Sequence, residues 1–97
     1  MPFDIILSPE AVEDLRSLSA RHQSNVADAI ERHLRHQPDK VSRSRIKRLR
    51  GLLKPQYRLR IDDYRVFYDI IDDAVEILAI VHKPSADRWL QRFGEPK

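Results

Sequence analysis

The chain contains no cysteine. That excludes disulfide staples, thiolate metal sites and a cysteine nucleophile, and it accords with a reducing, cytoplasmic setting. Long apolar runs are also missing. None approaches the roughly 20 residues that a membrane-spanning helix needs, so no membrane is expected among the partners. The opening stretch "MPFDIILSPE" is too short and too acidic for a secretory signal. Glycine is scarce, with only Gly51 and Gly94, so each marks a special place: Gly51 a turn or close backbone approach, Gly94 a helix end. The most informative absence is of acids. Between Asp39 and Asp62 there is none, while Arg43, Arg45, Lys47, Arg48, Arg50, Lys54, Arg58 and Arg60 all fall there. A block of one sign points either to a polyanionic partner, of which nucleic acid is the common one, or to a solvated basic loop.

What is present describes an ordinary small globular chain. It has 97 residues, 41% of them hydrophobic, with a net charge of +3. The length predicts one domain, residues 1–97, with one modest core. "FDIIL", Phe3 to Leu7, suits a strand. "SPEAVEDLRSL" opens a helix over residues 9–19, with Ser8 as N-cap, Pro9 at the first helical position and acids at the positive end of the dipole. Val26, Ile30 and Leu34 repeat at helical spacing and predict a second helix from about His22 to Gln37, stopped at Pro38. "DKVSRSRIKRLRG" reads as a basic connector.

Beyond it the period falls to two. Tyr57, Leu59 and Ile61 share one face of a strand; Arg58 and Arg60 share the other. "YRVFYDII" follows the Asp62-Asp63 turn, and "AVEILAIVH" follows Asp72-Asp73, which together predict an antiparallel meander. Pro84 ends it. Ser85 is placed to cap a short helix, "ADRWLQRF", closed by Gly94. Leu15, Val26, Ile30, Leu59, Val66, Ile70, Ile77 and Leu78 are the candidate core.

Four stretches carry a family likeness: "KRLRG" (Lys47 to Gly51), "YRLRI" (Tyr57 to Ile61), "YRVFYDIID" (Tyr64 to Asp72) and "VEILAIVHK" (Val75 to Lys83). In this arrangement the chain resembles the RelE/ParE superfamily of bacterial type II toxins over nearly its whole length. The resemblance implies an α+β fold. A small antiparallel sheet would combine an N-terminal strand, a helix hairpin packed on one face, a three-strand meander and a short C-terminal helix. It also implies a toxin neutralised by a cognate antitoxin. RelE-like members cut mRNA in the ribosomal A site, with mRNA and ribosome as partners; ParE-like members poison DNA gyrase without a nuclease site. A degenerate nucleic-acid- or antitoxin-binding protein is the third reading.

Metal-free RNA cleavage needs a base for the 2′-OH, cations for the phosphorane charge and a proton for the leaving oxygen. Arg65 matches the arginine that the family places on the second meander strand, and is the candidate for transition-state stabilisation. Arg60 joins it, and guanidinium forks match phosphate oxygens. Cross-strand pairing with Asp69 or Glu76 is the plain structural alternative. Arginine is no base, which moves that role to His82, beside Lys83, where family members often carry a His-Arg pair. Arg58, Arg48, Arg50, Lys54 and Arg88 are candidates for holding RNA phosphate. The tail departs from the nuclease pattern, with Pro84 and Leu90 where an arginine and a base-stacking tyrosine would stand. Trp89 is read as packing on the sheet. The paired aspartates suit turns, His33 and His36 lack a third ligand, and neither a metal nor a cofactor is expected.

Overall fold

The computed structural model describes residues 2–97. The chain runs β1 (Asp4–Leu7), α1 (Pro9–Arg16), α2 (Ala20–Leu34), β2 (Ile46–Arg48), β3 (Leu52–Lys54), β4 (Tyr57–Ile61), β5 (Tyr64–Ile71), β6 (Ala74–His82), a short 3-10 turn (Lys83–Ser85), α3 (Ala86–Phe93) and β7 (Glu95–Pro96). This is the expected α+β architecture. Five strands form one sheet in the order β1-β6-β5-β4-β2, and β3 pairs with β7 separately.

The helices begin where their caps dictate. Ser8 Oγ accepts the Ala11 amide at 3.1 Å, and Ser19 Oγ accepts that of His22 at 3.3 Å. The Ser19 cap starts α2 at Ala20, two residues ahead of the sequence reading, and α1 ends at Arg16 instead of residue 19. Each side-chain oxygen satisfies an amide that the first helical turn leaves unpaired. Ser85 does not cap α3. The 3-10 turn feeds directly into that helix instead.

Two further departures lie in the strands. β1 runs parallel to β6, with Asp4 opposite Ala74 and Leu7 opposite Ile77, so the sheet is antiparallel except at this edge. The helix pair carries the chain across one face between β1 and the meander, as a parallel connection requires. The basic connector is not a plain loop. Its β2 pairs antiparallel with β4, and its β3 meets β7 at the other end of the chain. Gly51 turns between β2 and β3 in the left-handed region at φ 76, where glycine carries no Cβ penalty. A Cβ on Gly94 would stand 2.5 Å from the Leu90 carbonyl oxygen, so that glycine serves a close approach where α3 turns into β7.

One face of the sheet receives both helices, α1 against β6 and α2 against β4. Val26, Ile30, Leu34, Leu59, Val66, Tyr68, Val75, Ile77 and Ile80 are buried between them. Leu15 and Ile70 pack at the margin of this core, and Leu78 is only half-buried. Tyr68 donates its hydroxyl to the Pro38 carbonyl at 2.6 Å and so fixes the exit from α2. Its burial pushes the phenol well above the usual range.

β6 contains a one-residue irregularity. Phe67 pairs with Ala79 but Tyr68 pairs with Ile77, which leaves Leu78 extra. A bulge reverses the alternation of side chains beyond it. Val75 and Ile77 face the helices before it, and Ile80 faces them after it. Residues at the start and within α1 hold the bulge: the Ser8 amide donates to Ile77 O at 2.9 Å, Ser8 Oγ donates to Leu78 O at 3.1 Å, and Asp14 accepts the Ile80 amide at 2.9 Å.

Candidate functional site

On the face away from the helices, three neighbouring strands present cations. Leu59 and Ile61 point into the core, which turns Arg58 and Arg60 outward; Val66 and Tyr68 do the same for Arg65 and Phe67. Ile46 is buried, so Arg45 and Lys47 flank it on the outer face. Register aligns these residues. Lys47 stands opposite Arg58, and Arg58 opposite Phe67. Arg60 stands opposite Arg65, and its amide donates to Arg45 O at 2.9 Å. Like charges directly opposite one another oppose pairing by roughly 0.2–1 kcal/mol. Such an arrangement is chemically suited to a negative ligand.

The guanidiniums are held without carboxylates. Arg65 is only 7% exposed, and its Nη1 donates to the carbonyls of Asp62 at 3.0 Å and Tyr64 at 2.9 Å. Burial, followed by the Arg60 charge, lowers its affinity for the proton, and Asp63 offsets part of this. Arg58 is half-buried. Burial first, then the charges of Arg65 and Arg60, act on it in the same direction. Its Nε is buried with no hydrogen-bond partner. Arginine stays protonated through such shifts, so the three remain a concentrated positive charge. The carboxylates that pairing would have used are engaged elsewhere. Asp69 accepts the Gln56 amide at 2.7 Å, while Glu76 lies 3.6 Å from Lys54. Among the described residues the ion pairs are Glu13–Arg16, Glu31–Arg35 and Lys54–Glu76.

The remaining candidates scatter. His82 stands opposite Tyr64, their ring centroids 5.5 Å apart. Tyr64 packs against the core side, and its hydroxyl is 3.3 Å from His22 Nδ1. His82 therefore faces the helix side, and the fold does not bring it together with Arg60 and Arg65. Lys83 is exposed beside the arginine hairpin, its amide donating to Asp63 O at 2.6 Å. Arg48 lies over the Tyr57 ring at 4.9 Å on the core side of β2, away from the arginine cluster. Lys54 is committed to Glu76, and Arg50 is exposed before Gly51. Arg88 is exposed on α3, whose Trp89 stacks on Phe67 with centroids 4.9 Å apart and planes within 4°. Trp89 is thus a packing residue, stacked on the Phe67 that stands opposite Arg58. Arg45 and Lys47 join the site because Ile46–Arg48 forms a strand and not plain connector; the sequence signal for that strand is the lone apolar Ile46 alternating with cations.

The chain matches, over residues 5–85, the family described as the ParE toxin of type II toxin–antitoxin systems. It belongs to that family. Solved relatives agree. In the toxin–antitoxin complex RelBE2 from Mycobacterium tuberculosis, a chain is 27% identical at a TM-score of 0.68, with 84% of this chain and 99% of that one covered. The archaeal RelE–RelB complex from Pyrococcus horikoshii gives 25% identity and a TM-score of 0.64, covering 86% and 97%. The RelB–RelE complex from Methanococcus jannaschii, at 18% identity, TM-score 0.64 and coverage of 87% and 96%, shares the fold. No curated protein matches the chain in sequence. The toxin has no helix long and apolar enough to cross a membrane among its described residues.

Proposed function

We propose that this type II toxin is a metal-independent endoribonuclease that cleaves mRNA on the ribosome and so stops translation. The observation that carries the reading is the set of uncompensated guanidiniums on one rigid sheet face, Arg58 with a buried and unpartnered Nε among them. Arg65 and Arg60 take the equatorial oxygens of the scissile phosphate. Arg65 is preorganised by its two backbone carbonyls, and fixed donors aimed at developing charge are the largest single source of rate in such sites. Arg58 and Lys47 hold the phosphate backbone beside them. Lys83 gives a proton to the leaving 5′ oxygen as the 2′ oxygen bonds to phosphorus, leaving a 2′,3′-cyclic phosphate. Because His82 faces the helix side, the 2′-OH proton passes to solvent hydroxide.

The cognate antitoxin neutralises the toxin by laying an acidic segment over the same arginines, and carboxylates match the forks as phosphates do. Localisation follows the ribosome, in the cytoplasm. The placement of His82 also favours a second reading, a gyrase poison with no hydrolytic step. Induced expression separates the two when mRNA ends and chromosomal DNA breaks are mapped in the same cells. New mRNA ends that vanish with Arg65→Ala support cleavage; DNA breaks with intact mRNA overturn it.

A further inference from the structure

A cleft of about 550 Å³ opens between the C-terminal end of α2 and the start of β2, beyond the edge of the arginine face. Arg32, His33, His36, Lys40 and Arg45 line it, and no carboxylate does. The last turn of a helix attracts cations by its dipole, which accounts for Arg32 and His33. It does not account for Lys40 and Arg45, which converge on the same space from the following loop. That loop is closed by its own hydrogen bonds: Ser42 Oγ accepts the amides of Arg45 at 3.0 Å and Ile46 at 3.1 Å, and the Ser42 amide donates to Ile46 O at 2.9 Å. The cations are therefore presented from an ordered turn. Burial and the charges of Arg45 and Arg32 hold the His33 imidazole below its usual range.

Arg45 joins this cleft to the arginine face. It lines a second hollow of about 340 Å³ with Arg32 and His33, and a third of about 310 Å³ with Ser44 and Arg60. Asp28 borders the second, and Asp62 borders both. These carboxylates mark the α2 and turn side of the path and leave the β2 side positive. A chain of hollows thus leads from Arg60 round the β2 edge to Lys40.

We infer that the cleft is a second phosphate subsite, taking the backbone of a single nucleic-acid strand several nucleotides away from the phosphate on the arginine face. The inference rests on the reading that the arginine face itself takes a phosphate. Each phosphate neutralised on a single strand contributes about 0.7 to the salt slope of log affinity. The test measures binding of fluorescent 2′-O-methyl tetranucleotides and dodecanucleotides, which offer no nucleophile for cleavage, over a range of salt. The dodecanucleotide is expected to show the steeper slope. Arg32→Ala with Lys40→Ala is expected to lower that slope by about 0.7 and to leave the tetranucleotide unchanged. An unchanged dodecanucleotide slope overturns the subsite alone. Tetranucleotide binding indifferent to Arg60→Ala overturns the arginine-face reading and the subsite with it. A polyglutamate peptide that loses affinity in the double variant while the dodecanucleotide does not would assign the cleft to an acidic protein segment instead.

Discussion

His82 and Arg65 sit on opposite faces of the sheet, although they lie on neighbouring strands and near the same end of it. His82 pairs with Tyr64, and Arg65 pairs with Val81. The bulge at Leu78 produces the separation. Had alternation run unbroken from Ile77 through Leu78, His82 would point outward to join the arginines.

Cleavage is therefore expected to survive His82→Gln with its pH profile unchanged. In the wild type the rate should climb about tenfold per pH unit, as first-order dependence on hydroxide demands, with no levelling where a histidine base would saturate. Single-turnover cleavage of ribosome-bound mRNA across that range checks both. Arg65→Ala should lower the rate about a hundred- to thousandfold, and Arg65→Lys should restore it only in part, because lysine keeps the charge and loses the fork.

Arg60 and Arg65 should respond oppositely in stability. Arg60 is exposed and faces a like charge. Arg60→Gln should stabilise the fold by roughly 0.2–1 kcal/mol, and less at high salt. Arg65→Ala leaves the Asp62 and Tyr64 carbonyls without their donor and should cost about 1–3 kcal/mol. Urea denaturation at low and high ionic strength measures the two signs.

Asp69 makes a prediction about pH. It is 4% exposed, and burial raises its proton affinity above that of a free aspartate, against the lowering effect of the Gln56 amide and Lys54. The folded state then binds more protons than the unfolded state between the two pKa values, so stability falls as pH rises through that window. Asp69→Asn keeps an oxygen for the Gln56 amide and removes the buried charge. Its melting temperature at neutral pH should equal or exceed that of the wild type, and the slope above pH ~4 should flatten. Melting curves at several pH values test it.

The contact between α1 and the bulge is expected to matter more than its exposure suggests. Asp14→Ala removes an acceptor of the Ile80 amide and should cost about 1–3 kcal/mol, while Asp14→Asn keeps an oxygen there and should cost less. Amide exchange at Ile80 should quicken in the alanine variant. If protection there is unchanged, Asp14 does not hold the bulge.

Leu59 is fully buried beneath α2. Leu59→Ala should cost about 2–5 kcal/mol. A thermal melt indistinguishable from the wild type would contradict its place in the core.

Much of this architecture was already legible in residue types and their spacing. Ser8 and Pro9 announced α1, and Val26, Ile30 and Leu34 announced the buried stripe of α2. Tyr57, Leu59 and Ile61 alternated with Arg58 and Arg60 clearly enough to set an arginine face, because side-chain alternation is a local property of an extended backbone. Three things were decided only in the folded chain. β1 joined β6 in parallel, a pairing with no local sequence signal. Ile46 to Arg48 became an edge strand because β4 offered a partner, and so Arg45 and Lys47 entered the site. His82 left it because one extra residue at Leu78, held by Ser8 and Asp14, reversed the parity of β6. Alternation can be read along one strand, but a bulge exists only between two strands, and here it is clamped by a helix about seventy positions away in sequence.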